Sequence, residues 1–209
     1  MNARPALDYF LTCMSPYAYL GHRAFLALAQ RQGVAVRYRP VRLLRQFEET
    51  GGLPLGKRAP ARQRYRLLEL QRWRAFRELP LNLAPKFYPV DAEHADRCIL
   101  ALLDAGHDPG EFVFAVLRAL WADELDIADR TVLEGLLAQA GIAEVESILD
   151  AAQDPRHGAA LDANTRDAIA LDLPGVPGYV RDGEAFWGQD RLDLLEHAIA
   201  SGRAPYRPG

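Results

Sequence analysis

The sequence predicts an α/β protein whose two ends build one sheet around a helical middle. Three observations predict it: a strand–helix–strand pattern over the first forty residues, a long stretch of helical periodicity, and a tight-turn hairpin followed by a helix at the end.

Leu7, Tyr9 and Leu11 alternate with Asp8 and Phe10, as at the start of a strand. Ser15 followed by Pro16 is a helix opening, because serine suits the N-cap and proline the first helical position. Leu20, Ala24, Ala27 and Leu28 recur on one face, and Gly33 supplies the stop. Val34, Val36 and Tyr38 then alternate with Ala35, Arg37 and Arg39 up to Pro40, which completes a β-α-β unit.

From Arg42 to about Asp172 the pattern is helical, apart from the loop composition of T-G-G-L-P-L-G-K-R-A-P. Helices are predicted over Ala61–Leu79, Ala92–Asp104, Pro109–Trp121, Thr131–Ala140 and Arg156–Leu171. After Pro174 the period returns to two. Gly178–Val180 and Ala185–Trp187 flank Asp182-Gly183, a hairpin signal. A last helix is predicted from Asp190, with Leu194, Leu195, Ala198 and Ile199, ending near Gly202. This order is that of a thioredoxin-like fold, residues 1–42 and 172–209, interrupted by an inserted all-helical domain, residues 43–171.

Bulk properties narrow the function. Of the 209 residues, 49% are apolar and 25% charged, which suits a globular protein with a substantial core. With a formal net charge of -3, nothing in the bulk argues for nucleic acid or an acidic membrane, and neither is expected as a partner. The start, M-N-A-R-P-A-L-D-Y-F, lacks the apolar run of a signal peptide, so a cytoplasmic protein is expected. Cys13 and Cys98 are the only cysteines and form no C-x-x-C, and the histidines fall at no ligand spacing. No metal is expected.

Three segments can carry chemistry. The first is S-P-Y-A, Ser15–Ala18, on the strand-to-helix turn. A helix N-terminus offers unpaired N–H groups and a positive dipole end, so it favours a nearby anion. Thiol oxidoreductases of this fold carry C-x-x-C here, but Ser15 and Ala18 hold both cysteine positions, which excludes disulfide exchange. An external thiol would fit, with the Ser15 hydroxyl donating to its sulfur. A thiol of pKa roughly 8.5 is about 3% ionised at pH 7, so lowering it by about two units raises the thiolate roughly twentyfold. Taken alone, Ser15-Pro16 reads first as a plain helix cap.

The second segment is G-V-P, Gly175–Pro177. In thioredoxin-like folds a cis proline here faces the catalytic turn, and the residue before it pairs with a bound peptide as an added strand would. The third is F-W-G-Q-D-R-L-D-L-L-E, Phe186–Glu196, where Asp190 is expected to cap the last helix and can also receive a cationic amino group. Trp187 reads as core or groove wall.

In this order, S-P-Y-A-Y-L, Y-R-P-V, L-Q-R-W, A-N-T, G-V-P and D-G-E-A-F-W-G-Q-D-R-L-D-L-L-E resemble 2-hydroxychromene-2-carboxylate isomerases and the related kappa-class glutathione transferases, from about Leu7 to Ile199. The resemblance implies a DsbA-like thioredoxin fold, a cytoplasmic homodimer and glutathione as cofactor. It makes Ser15 the catalytic residue that orients and activates glutathione. Val176 and Pro177 would then bind the peptide, and Trp187, Gly188, Gln189 and Asp190 its γ-glutamyl end. The substrate implied is a small aromatic or unsaturated acid, isomerised by reversible thiolate addition to a conjugated double bond. A glutathione transferase and a non-catalytic thioredoxin-fold binding protein are the alternatives.

The substrate side departs from the family pattern. Phe47 and Glu48 stand where a lysine is expected, Phe87 where a hydroxylated aromatic would fit, and Gly178 where threonine or serine is usual. Lys57, Arg58 and Phe87 are the candidate substrate-binding residues. Arg58, Arg62, Arg64, Arg66, Arg72, Arg74 and Arg77 read either as a steering patch for an acid or as a solvated helix face.

Overall fold

A computed structural model describes residues 6–207. Positions 1–5, read above for a leader, and 208–209 lie outside the described residues.

The chain opens with β1 (Ala6–Leu11), α1 (Pro16–Gln32) and β2 (Ala35–Pro40). Seven helices follow: α2 (Leu43–Thr50), α3 (Pro60–Phe76), α4 (Glu93–Asp104), α5 (Gly110–Trp121), α6 (Arg130–Gln139), α7 (Val145–Ala151) and α8 (Pro155–Ala170). It closes with β3 (Gly178–Arg181), β4 (Glu184–Trp187), a 3₁₀ turn over Gln189–Arg191 and α9 (Leu192–Ala200). The sheet order is β2-β1-β3-β4. Central β1 runs parallel to β2 and antiparallel to β3, with Tyr9 opposite both Tyr38 and Tyr179. This is the predicted α/β thioredoxin-like fold.

Local chemistry explains the boundaries. Ser15 caps α1 through its side chain, Pro16 holds the first helical position, and Gly33 ends the helix at φ 65°. Asp182 and Gly183 both take positive φ, 51° and 80°, as a type I′ hairpin turn requires. Two short helices, α2 and α7, were not individually predicted.

The sheet is buried on both faces. On one, the rings of Tyr9 and Tyr179 stack at 5.4 Å beside Phe25, within a core that continues through Ile99 and Leu102 of α4 into Leu117 and Trp121 of α5. On the other, Phe10 joins Val41, Ala168, Leu173, Val176 and Val180. Strand alternation therefore does not make Phe10 a surface residue: α8 and the loop before β3 cover it. The A-N-T motif fastens that cover. The Asn164 amide donates to the Pro40 carbonyl at 3.1 Å and accepts from Arg39 at 2.9 Å, and the Thr165 hydroxyl accepts the Arg42 N–H at 2.9 Å. The A-N-T and Y-R-P-V motifs thus work as one joint.

Candidate active site

Sheet register brings the three predicted segments to one end of the molecule. Ser15 follows the exit of β1, Pro177 precedes Gly178, which pairs with Phe10 near that exit, and Trp187 pairs with Gly178 from β4.

Ser15 is 5% exposed, and its hydroxyl oxygen accepts the Ala18 N–H at 3.1 Å. That bond is the N-cap the sequence predicts. It uses the oxygen as acceptor and leaves the hydroxyl proton to be donated elsewhere. The turn before it is held from below by α4. The Asp96 carboxyl accepts the Thr12 hydroxyl at 2.6 Å and the Cys13 N–H at 2.8 Å, and the Ser15 N–H bonds to the Thr12 carbonyl at 3.0 Å. Asp96 is buried, and burial pushes its pKa up to about 7. Sequence reading missed it; the signal was a carboxylate one residue after Ala95 and three before Ile99, on a helix face that is otherwise apolar.

The chain's own thiols are withheld. Cys13 and Cys98 are free and fully buried. Burial first, and then the Asp96 carboxylate, raise the Cys13 thiol well above its usual pKa; burial pushes Cys98 up to about 12. Neither is a nucleophile near neutral pH.

The Val176–Pro177 peptide is cis. Within the described residues, the Val176 N–H and C=O enter no backbone hydrogen bond outside regular elements, and Val176 belongs to none of these. The Pro177 carbonyl instead accepts the Gly188 N–H at 2.9 Å, which ties the loop before β3 to the segment after β4. Gly188 adopts φ 102°, open only to glycine, and an added Cβ would stand 2.3 Å from Asp190 Oδ1. Gly175 is flanked by Phe47 and Trp187: an added Cβ would come within 3.3 Å of the first ring and 3.4 Å of the Trp187 indole nitrogen. Trp187, 52% exposed, is therefore not core; its indole lies against Gly175. At Gly178 an added Cβ would lie 2.3 Å from a Leu173 methyl, so that side chain fills the space a family threonine would need.

Asp190 corrects one expectation. It does not cap the last helix, because the 3₁₀ turn intervenes and α9 has no side-chain cap. Its carboxylate pairs with the Arg191 guanidinium at 2.6 Å and is solvent-exposed, open to a further cation. Gln189 is buried, and its side-chain oxygen accepts from Arg77 at 3.1 Å.

The substrate candidates divide. Arg58 donates to the Leu53 carbonyl at 2.7 Å, lies over the Phe47 ring at 5.9 Å and acts electrostatically on the Tyr17 phenol, two residues past Ser15. Lys57 is exposed, and Phe87 packs half-buried against the core beneath Lys86. The neighbouring Tyr88 instead carries the hydroxyl, beside Arg66. The arginine-rich stretch divides: Arg62, Arg64 and Arg72 are exposed, as on a solvated helix face, Arg74 and Arg77 hold the Leu81 carbonyl and Gln189, and Arg66 is buried.

A strand-to-helix turn facing a cis-proline loop defines a thioredoxin-fold protein. The chain belongs to the family of the DSBA-like thioredoxin domain, whose model matches residues 6–200. Among curated proteins it is similar to a 2-hydroxychromene-2-carboxylate isomerase of Sphingobium xenophagum, 27% identical over 192 residues, covering 91% of this chain and 95% of that one. It is as similar to glutathione S-transferase kappa 1 of Caenorhabditis elegans, 27% identical over 207 residues, covering 93% and 91%. Among solved structures a 2-hydroxychromene-2-carboxylate isomerase matches with TM-score 0.79 at 23% identity, covering 94% of this chain and 95% of that one, a likeness of fold. No helix among the described residues is long and apolar enough to cross a membrane.

Proposed function

We propose that the protein is a glutathione-dependent isomerase of an aromatic or unsaturated acid, with Ser15 as its catalytic residue. The observation that carries this is Ser15 at the N-terminus of α1, its hydroxyl proton uncommitted, while both cysteines of the chain are buried and held protonated. When bound, glutathione would supply the nucleophilic thiolate, adding reversibly to a conjugated double bond so that rotation becomes possible before the thiol leaves again.

The protein's part is placement. The Ser15 hydroxyl donates to the sulfur, and the dipole of α1 stabilises its negative charge. Val176 pairs through its backbone with the cysteinyl part of the tripeptide, and cis Pro177 shapes that edge. Trp187 walls the groove, Gly188 and Gln189 shape its end, and the Asp190 carboxylate receives the γ-glutamyl ammonium. Arg58, with Lys57 and Phe87 further out, borders the substrate side.

The kappa-class relative, equally similar, supports a second reading in which glutathione is consumed by transfer. The buried, unpaired cysteines fit a reducing cytoplasm. The exposed Tyr65, Leu68 and Phe76 on α3 fit a homodimer face, and the helices between β2 and β3 fit an inserted domain. Calorimetry with glutathione tests the core of this: wild type binds, and Ser15→Ala loses roughly 10- to 100-fold in binding or in rate. Equal glutathione affinity and equal ultraviolet absorbance of bound thiolate in both proteins would overturn it. Recovery of unconsumed glutathione after turnover separates isomerase from transferase.

A further inference from the structure

Arg66 projects from α3 into the protein and is 7% exposed. Its guanidinium stands 5.6 Å from the Tyr88 ring and 5.7 Å from the Trp121 ring. Those rings cover faces of the guanidinium and leave the N–H groups on its edge to find acceptors elsewhere. They do not all find them: Arg66 Nη2 has no hydrogen-bond partner among the described residues, and neither has Trp121 Nε1 beside it. Two buried donors therefore share one neighbourhood without an acceptor.

Among the described residues no carboxylate balances this charge. The charged and titratable groups acting on Arg66 are the phenols of Tyr88 and Tyr17 and the guanidinium of Arg58. Glu69, one turn on, is engaged by Arg72 at 2.6 Å. Desolvation lowers the Arg66 pKa from its usual value, yet a guanidinium stays charged at neutral pH. A buried cation with no anion is costly, so the arrangement calls for an anion from outside.

Tyr17 connects this spot to the groove. It follows Ser15-Pro16 directly, and the charged groups facing its phenol are Arg66, Glu69, Arg58 and Asp190. The Tyr17 phenol, beside the Ser15 turn, thus lies within electrostatic range of two guanidiniums and two carboxylates, and one of those carboxylates, Glu69, is already taken by Arg72.

We propose that Arg66, flanked by the Tyr17 and Tyr88 hydroxyls, binds a carboxylate carried by the ligand of the Ser15 groove. This deepens the reading above and rests on it for the groove. A planar guanidinium with adjacent phenol and indole donors matches a planar two-oxygen acceptor. The carboxylate is either that of an acid substrate or the glycine end of glutathione, and one experiment separates them.

Calorimetry is run on wild type, Arg66→Gln, Arg66→Lys and, as a control for net charge, Arg62→Gln, an exposed position on the same helix. Four ligands are used: benzoate, its neutral isostere benzamide, glutathione, and γ-glutamylcysteine, which lacks the glycine. If the substrate acid is the partner, wild type binds benzoate about tenfold or more tightly than benzamide, and Arg66→Gln removes that difference while Arg62→Gln keeps it. If the glycine end is the partner, the same pattern holds for glutathione over γ-glutamylcysteine. The wild-type comparisons stand even if Arg66→Gln fails to fold, and Arg66→Lys keeps the charge but loses the fork. Wild type binding both members of each pair alike, or retained discrimination in a folded Arg66→Gln, overturns the assignment. Wild type binding benzoate through Arg66 but not binding glutathione overturns the glutathione reading alone.

Discussion

Gly21 and Gln189 meet with no room between them: a Cβ on Gly21 would lie 2.4 Å from Gln189 Cβ and 3.1 Å from the Tyr179 hydroxyl. Gly21 lies six residues past Ser15 on α1, and Gln189 opens the 3₁₀ turn that carries Asp190. The helix that starts at Ser15 and the turn that carries Asp190 therefore share one rigid contact, and the smallest side chain makes that contact possible.

Gly21→Ala consequently has to push the 3₁₀ turn away from α1. Overpacking of this kind costs about 1–3 kcal/mol, and glutathione affinity falls with it because Asp190 shifts. Gly135, helical, exposed and with nothing within 4 Å of an added Cβ, is the comparison. Gly135→Ala should instead stabilise by about 0.5–1 kcal/mol through helix propensity alone. Chemical denaturation of both variants checks the pair, and an equal effect at the two sites refutes the contact.

Ser15→Cys tests the anion-favouring character of the turn without any glutathione. A thiol placed at the α1 N-terminus should titrate below the usual value of roughly 8.5, within about 3.5–7.5. The rate of alkylation by iodoacetamide against pH reads that value directly. Cys13 and Cys98, buried and held protonated, should stay silent in the native protein and react only after unfolding. An introduced thiol that titrates at or above the ordinary value would leave the turn with no special affinity for charge.

Most of the site-bearing frame was legible in the sequence because its signals are local. Ser15-Pro16, Gly33 and Asp182-Gly183 dictate backbone geometry within a few residues, and each does what its chemistry requires. α2 and α7 escaped individual prediction because they are two turns long and carry too few apolar positions to set a period. Asp190 misled for a different reason: a carboxylate two residues before a helix reads as a cap, but it sits inside a 3₁₀ turn and Arg191 takes it. Arg66 and Asp96 were hidden by composition. A charged residue is assigned to solvent by default, and only position betrays these two: Arg66 sits four before buried Leu70, and Asp96 three before buried Ile99.

Removing the Asp96 support should loosen the turn that presents Ser15. Asp96→Leu leaves the Cys13 N–H and the Thr12 hydroxyl without their acceptor, a loss of about 2–4 kcal/mol. Asp96→Asn keeps one oxygen for the Cys13 N–H and can donate its amide to Thr12, so it should fold close to wild type. Urea denaturation at neutral pH ranks them, and equal stability of the two variants contradicts a supporting role.

Asp96 also titrates against His22, and the two should cancel. His22 is buried, its ring nitrogens engaged by the Gly110 carbonyl at 2.9 Å and the Tyr9 hydroxyl at 3.3 Å. Burial lowers its pKa to about 4. In the unfolded chain a histidine takes its proton near pH 6.5, so the folded state loses roughly 1.4 kcal/mol per pH unit as pH falls from about 6.5 to 4. For Asp96 the shift is upward, to about 7, against an unfolded value of about 3.9. Between those values the unfolded carboxyl is ionised and the folded one keeps its proton, so stability rises as pH falls, by a similar amount per unit. Wild type should therefore carry little net slope from this pair between about pH 4 and 6.5. Asp96→Asn removes the gain and should fall more steeply than wild type on acidification, by roughly 1.4 kcal/mol per unit. His22→Gln removes the loss and should gain stability relative to wild type by a comparable slope. Denaturation midpoints across that window measure both, and parallel pH profiles for the three proteins would mean that neither group is buried in the ionisation state assigned to it.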